Sequence, residues 1–301
     1  MSCSADKSIA GLNAEGAVSW RIPSAHDASI NCIQYLNEHS VATGDDDGCV
    51  KLWDVRSRKP TATFEECEDF IADMAFRSDG YRLLAASGDG TLSVYDLRSS
   101  KFEAMSDVFE DELLSVAVMK GGTRVVVGSQ DGVLSVFHWG WWGDCKDRFP
   151  GHPKSIDSLC ALNDDVVLTA SSDGMIRIVQ IQPNKLLGVV GEHGEFPIER
   201  LAMSVDKSML ASISHDGMLK LWNIRYLQEL ASNPLAEGSE MSEGMSTDAS
   251  DPEDGSDDSD AMEDRGRGKG KGKGKERQAP RGKGSPHSKQ AGASRGFFDD
   301  L

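Results

Sequence analysis

The stretch Gly44-Asp45-Asp46-Asp47-Gly48-Cys49-Val50-Lys51-Leu52-Trp53 reads as a tight turn feeding a strand. Asp-Gly supplies the positive φ that a short hairpin needs, and the residues after it alternate apolar with polar. Working outward, Ile30–Leu36, Ser40–Thr43, Cys49–Trp53 and Thr61–Phe64 each read as a strand, giving a four-stranded meander between Ser29 and Glu65. The same turn recurs at Asp89-Gly90, Asp131-Gly132, Asp173-Gly174 and Asp216-Gly217, with a weaker copy at Asp6-Lys7. Successive Asp positions differ by 41, 42, 42, 42 and 43 residues. A period of about 40–45 residues is that of four-stranded propeller blades, so the chain is an all-β array of like units. One such sheet cannot cover both of its faces, and each blade must bury its apolar side chains against its neighbours.

Composition divides the chain. Residues 1–231 carry the repeats and are net acidic, a poor surface for gripping a phosphate backbone. Residues 232–264 read as an acidic linker, with twelve acids and no base between 236 and 264. Residues 265–301 read as a Gly/Lys-rich tail, with ten bases and one acid between 265 and 289. Such blocks of like charge stay solvated, and both segments are expected to be disordered. Within the tail, Arg265, Arg267, Lys269, Lys271, Lys273 and Lys275 suit a nuclear-import receptor or RNA phosphate. The terminal Phe297-Phe298-Asp299-Asp300-Leu301 reads as a short docking peptide.

No nucleophile elbow, His-Glu-x-x-His or phosphate-binding loop occurs, so the expectation is a protein without catalytic residues, cofactor or small-molecule substrate. The six cysteines show no Cys-x-x-Cys pair, and Asp45-Asp46-Asp47-Gly48 lacks the alternate spacing of a calcium loop, so no metal is expected. There is no apolar run of signal-peptide or membrane-span length, and no membrane association is expected. Trp139, Trp141 and Trp142 fall in a Gly-broken loop after a third strand, where they either cap a blade edge or form a binding patch. The end of the first complete blade's third strand puts Trp53, Asp54 and Arg56 near a rim.

Lys51-Leu52-Trp53-Asp54 and Lys220-Leu221-Trp222-Asn223, each after an Asp-Gly turn, resemble the WD-repeat signature. That resemblance covers about residues 4–231 and implies a seven-bladed type of β-propeller, of which about five and a half blades are present. The expectation is an arc with a gap beside Ser8–Ile22, the chain lacking an N-terminal blade and a half. The competing arrangement is a six-bladed ring in which the N-terminal strands complete the last blade. In the family a His, a Ser or Thr, the turn Asp and the Trp form a buried hydrogen-bond chain. His26, Asp47 and Trp53 match it with Asp45 in the hydroxyl position. His152, Ser171 and Asp173 match with Val179 in place of Trp, and His193, Ser214, Asp216 and Trp222 match fully.

Trp53-Asp54-Val55-Arg56 also resembles the Trp-Asp-x-Arg string by which some WD-repeat proteins dock on the damaged-DNA-binding adaptor of cullin-RING ubiquitin ligases. Further strings, among them Ser87-Gly88-Asp89-Gly90-Thr91-Leu92 and the terminal Phe297–Leu301, resemble the WD repeat-containing protein 55 branch, in its plant-like form. That resemblance implies a scaffold of the nucleus and nucleolus, with the cytoplasm also open. Two roles follow from it: a substrate receptor of a cullin 4 type ligase with a part in development, or a ribosome-biogenesis factor acting in ribosomal RNA processing. The implied partners are proteins, with RNA or pre-ribosomes reached through the basic tail.

Overall fold

A computed structural model describes residues 1–232, which form six antiparallel sheets, one short 3-10 helix (Lys120–Gly122) and one α-helix. Blade 1 is three-stranded (Ser2–Cys3, Ile9–Leu12, Val18–Ile22). Blades 2 to 5 have four strands each. Blade 2 comprises Ile30–Asn37, Ser40–Asp45, Val50–Asp54 and Lys59–Phe64. Blade 3 comprises Ile71–Arg77, Arg82–Ser87, Leu92–Asp96 and Lys101–Met105. Blade 4 comprises Leu113–Met119, Arg124–Ser129, Val133–His138 and Asp147–Pro150. Blade 5 comprises Ile156–Ala161, Val166–Ser171, Met175–Gln180 and Lys185–Glu192. Blade 6 is again three-stranded (Ile198–Met203, Met209–Ser214, Leu219–Asn223) and is followed by helix Arg225–Ser232. The meander order is that expected from the repeats, and the fold is a β-propeller.

The Asp-Gly turns work as the sequence requires. Gly48 has φ +78, and a Cβ there would lie 2.4 Å from the Cys67 carbonyl oxygen of the incoming chain. Only glycine satisfies both the left-handed backbone and that close approach.

Each interface between blades repeats one pattern, in which the third strand of a blade packs on the inner strands of the next. Val50 and Leu52 of blade 2 meet Ile71, Leu83 and Ala85 of blade 3. Leu92 and Val94 of blade 3 meet Leu113, Val125 and Val127 of blade 4. Leu134 and Val136 then meet Ile156 and Val167, and Ile176 and Ile178 meet Ile198 and Leu210. Burying a side chain of this size contributes roughly 1.5–3 kcal/mol, so the interfaces, rather than any single sheet, hold the array together.

Two expectations change. The N-terminal residues count as a sixth blade rather than half of one, because Ser2–Cys3 pairs with Ile9–Ala10. They do not complete the last blade, since no strand of blade 1 pairs with blade 6 among the described residues. The chain after the third strand of blade 6, where the other repeats place a fourth strand, is the helix Arg225–Ser232 instead. The Asn223 side chain accepts a hydrogen bond from the Arg225 N–H at the helix start (3.2 Å), and Leu227 is buried against blades 5 and 6.

Candidate functional site

The buried histidines come first, because they decide what is scaffold and what is free to bind. In blade 2, His26 Nδ1 lies 2.7 Å from Asp45 Oδ2 and Nε2 lies 2.6 Å from Thr43 Oγ1, which also accepts from the Trp53 indole at 2.8 Å. The carboxylate only accepts, so Nδ1 carries the proton and Nε2 accepts from the threonine hydroxyl. Blade 6 repeats this with His193, Asp216 (2.7 Å), Ser212 (2.7 Å) and Trp222, whose indole reaches Ser212 at 2.8 Å.

Blade 5 keeps the His152 Nε2 to Thr169 contact at 2.8 Å, but Asp173 is held by both guanidinium nitrogens of Arg177, at 3.0 and 2.5 Å. His152 Nδ1 is consequently buried without a partner. Burial and the Arg177 charge bring the His152 pKa down to about 4. Burial also lowers the pKa of His26, opposed there by Asp45.

The expected chain is therefore corrected in three places. Asp45, not the exposed Asp47, partners His26. Asp173 does not reach His152. The linking hydroxyls are Thr43, Thr169 and Ser212, two residues before the expected positions, while Ser171 and Ser214 instead accept from the backbone N–H groups of Asp173 and Asp216 in the turns (3.4 Å each). Positions two apart share one strand face, which is why the pattern alone left them unresolved.

His26, Asp45 and Cys49 are close enough to suggest a metal-ligating trio. Both nitrogens of His26 are already engaged, however, and burial pushes the Cys49 thiol up to about 12. The trio is a structural knot. All six cysteines are free, and Cys32 is a core residue.

At the rim, Trp53 is buried and belongs to the network, whereas Arg56 is 67% exposed and pairs with Asp54 across its own turn (Nε to Oδ1, 3.3 Å). The two partial echoes of that string, Tyr95-Asp96-Leu97-Arg98 and Trp222-Asn223-Ile224-Arg225, differ from it. Arg98 lies over the Tyr81 ring at 5.5 Å and bonds the Asp79 carbonyl, while Asp96 is tied to Arg82 at 2.9 Å. Asn223 is occupied at the helix start.

The tryptophan loop is divided in the same way. Trp142 is buried in an edge-to-face contact with Trp139 (5.0 Å), over which the Arg77 guanidinium stacks at 4.2 Å, so these two seal the contact between blades 3 and 4. Trp141 points out, 69% exposed.

The inner strands carry a further element that sequence reasoning missed. Each has a register shift after its first residue, at Ile30/Cys32, Ile71/Asp73, Leu113/Ser115, Ile156/Ser158 and Ile198/Arg200. The side chain just past each bulge bonds the next blade: Ser115 donates to the Ile156 carbonyl at 2.7 Å, and Ser158 accepts from the Leu201 N–H at 3.1 Å. Arg200 of blade 6 instead reaches the inner strand of blade 3, bonding Asp73 (3.0 Å) and the Ala72 carbonyl (2.7 Å). A cavity of about 490 Å³, lined by Cys3, Asp73, Ser158 and Arg200 among others, surrounds this link. Burial raises the Asp73 pKa and the guanidinium opposes that rise.

Phe297, Phe298, Arg265, Arg267, Lys269, Lys271, Lys273 and Lys275 lie outside the described residues.

Blades with Asp-Gly turns and buried His-hydroxyl-Trp networks define a WD-repeat propeller. The WDR55 family matches residues 1–227, and the chain belongs to that family. It is 40% identical over 231 residues to WD repeat-containing protein 55 of Arabidopsis thaliana, covering 76% of this chain and 65% of that protein. It is 39% identical over 218 residues to WD repeat-containing protein JIP5 of Cryptococcus neoformans, covering 71% of this chain and 58% of that one. The bovine WD repeat-containing protein 55 is 36% identical over 228 residues, covering 75% and 60%. The chain thus spans about three-fifths of the length of the relatives it matches. A computationally designed protein, Ika8, shares the fold with a TM-score of 0.59 at 23% identity, covering 73% of this chain and 66% of that one.

Proposed function

We propose that this propeller is a non-catalytic interaction scaffold of the nucleus, and that its Asp54–Arg56 corner docks on the damaged-DNA-binding adaptor of a cullin-RING ubiquitin ligase. The observation that supports this is the contrast among the three like strings. The exposed Arg98 lies over the Tyr81 ring and bonds the Asp79 carbonyl, and the string ending in Arg225 has Asn223 in place of the aspartate, whereas Arg56 keeps an exposed guanidinium that pairs with Asp54 of its own turn. A guanidinium so placed makes a two-pronged, charge-assisted contact with a carboxylate that neither Lys nor Ala reproduces.

Arg56→Ala is expected to abolish co-purification of the adaptor while changing stability by less than about 0.5 kcal/mol, as for surface positions in general. Undiminished adaptor binding by the folded variant would defeat the ligase role. A second role, in ribosome assembly, is favoured by the ten bases and one acid between 265 and 289. Such a segment engages RNA phosphate with strong salt dependence and little sequence preference.

A further inference from the structure

Blade 4 lacks the histidine network, and a groove opens where that network would stand. The Phe109 N–H bonds the Gly90 carbonyl at 2.9 Å, as those of His152 and His193 bond Gly132 (3.3 Å) and Gly174 (2.8 Å), so Phe109 occupies the histidine position. Phe137 fills the tryptophan position and meets the Phe109 ring at 5.7 Å, and Val127 replaces the linking hydroxyl. Asp131 is the counterpart of Asp216, whose carboxylate accepts from His193. With phenylalanine in the histidine position Asp131 has no imidazole to meet, and its exposed carboxylate is unpaired among the described residues.

The groove, of about 430 Å³, lies between blades 3 and 4. Both blades have four strands and pack against a blade on either side, so it is open with every flanking sheet in place. Its apolar lining comes from Phe109, Val133 and Val108, the last 73% exposed. Asp107, Glu110, Asp111, Asp131 and Asp144 stand around it against a single base, Arg148. Residues 106–112, which join the two blades, hold four acids and no base. Arg148 shows what this lining accepts, because its guanidinium lies over the Phe109 ring at 5.2 Å and 4.0 Å from Asp144. The other four carboxylates have no cation partner among the described residues.

A lysine or arginine side chain matches both parts of this surface, since its apolar stem covers hydrophobic groups while its charged head reaches a carboxylate. A phosphate backbone or an acidic peptide is repelled by the same carboxylates. Within this chain the ten bases between 265 and 289 follow twelve acids between 236 and 264, so that stretch brings its own counter-charge, and a basic segment without acidic neighbours matches the groove better. We propose that the groove between blades 3 and 4 docks an extended Lys/Arg-rich segment of a partner protein, with stems on Val108, Phe109 and Val133 and charged heads on Glu110 and Asp131. The Asp54–Arg56 corner lies where a third strand ends and the groove where one begins, so the proposal does not rest on the ligase role.

The probe is a fluorescein-labelled synthetic peptide of five Lys-Gly repeats, and its control has Gln in place of every Lys. Fluorescence anisotropy with the full chain at about 0.15 M salt, where distant charges are screened, is expected to show saturable binding of the first peptide and none of the second. Glu110→Gln with Asp131→Asn changes only exposed side chains, so this double variant should keep the circular dichroism of the parent and lose at least about fivefold in affinity. Val108→Ser should lose at least about threefold, through the stems. Asp47→Asn with Glu66→Gln removes as much charge from exposed residues of the blade 2 turn and of the connection to blade 3, and should bind like the parent. No saturable binding, equal binding of the two peptides, unchanged affinity of Val108→Ser, or equal losses in the two double variants would overturn the proposal. Carbodiimide cross-links from lysines between 269 and 275 to Glu110 or Asp131, in the full chain alone, would overturn it in favour of the chain's own basic segment as the occupant.

Discussion

Blades 5 and 6 start from nearly the same buried residues and end in different electrostatic states. Blade 6 gives His193 a carboxylate on one nitrogen and a hydroxyl on the other. Blade 5 has the histidine, the hydroxyl and the aspartate, yet a single arginine in its third strand captures the aspartate and strands His152 Nδ1. Blade 2 agrees with blade 6 although it takes its aspartate from Asp45, before the turn. The network is thus a demand of the buried imidazole, met by whichever acid lies within reach. Where a stronger partner competes for the acid, the imidazole remains neutral and half-satisfied.

The largest expected effect comes from removing the linking hydroxyl. Thr43→Val would leave both His26 Nε2 and the Trp53 indole N–H buried without partners, at a cost of about 2–4 kcal/mol. Thr169→Val in blade 5 orphans only His152 Nε2, because Val179 stands where the tryptophan would be, and should cost about half as much. Urea unfolding of the two variants measures the difference, and equal losses would break the comparison.

A smaller effect is expected in the pH dependence of stability. His152 titrates at about 4 when folded against an ordinary value of 6.5. Between those values the unfolded chain binds the proton and the folded one does not, so stability is fully present above about pH 6.5 and is lost as pH falls toward 4. The slope from this group approaches about 1.4 kcal/mol per pH unit. His152→Phe should flatten the urea midpoint against pH by that amount over this window, relative to the parent. A parent and variant with parallel profiles would show that His152 is not held neutral by the fold.

Much of this architecture was legible in the chain. The Asp-Gly turns announced the blades because few other dipeptides supply the backbone that Gly48 adopts, and the alternation of Val50-Lys51-Leu52-Trp53 announced the strand because successive side chains leave opposite faces of a sheet. The networks were legible only as an inventory. Thr43 and Asp45 lie on the same strand face and both meet the histidine, yet nothing in the local sequence says that Thr43 supplies the hydroxyl or that Asp47 stays outside. Arg177 alternates with apolar residues along its strand, yet its partner lies across the turn and its side chain is buried. The bulges of the inner strands, the reach of Arg200 to Asp73 and the groove between blades 3 and 4 depend on neighbours that are distant in sequence. A blade read in isolation contains none of them.

The finest test converts one blade into the other. Arg177→Leu removes the guanidinium that both occupies Asp173 and repels a proton from His152. Two consequences follow together: the positive charge that depresses the imidazole is gone, and Asp173 is released within reach of the same pocket that Asp216 serves in blade 6. Both favour protonation, so the His152 pKa should rise from about 4 toward the ordinary histidine range in an NMR titration of the full chain. If Asp173 swings to Nδ1, a strongly deshielded Nδ1–H resonance should appear, as expected for His26 and His193 in the parent. A rise in pKa without that resonance would mean that charge alone separates the two blades. No rise at all would assign the depression to burial and remove Arg177 from the explanation.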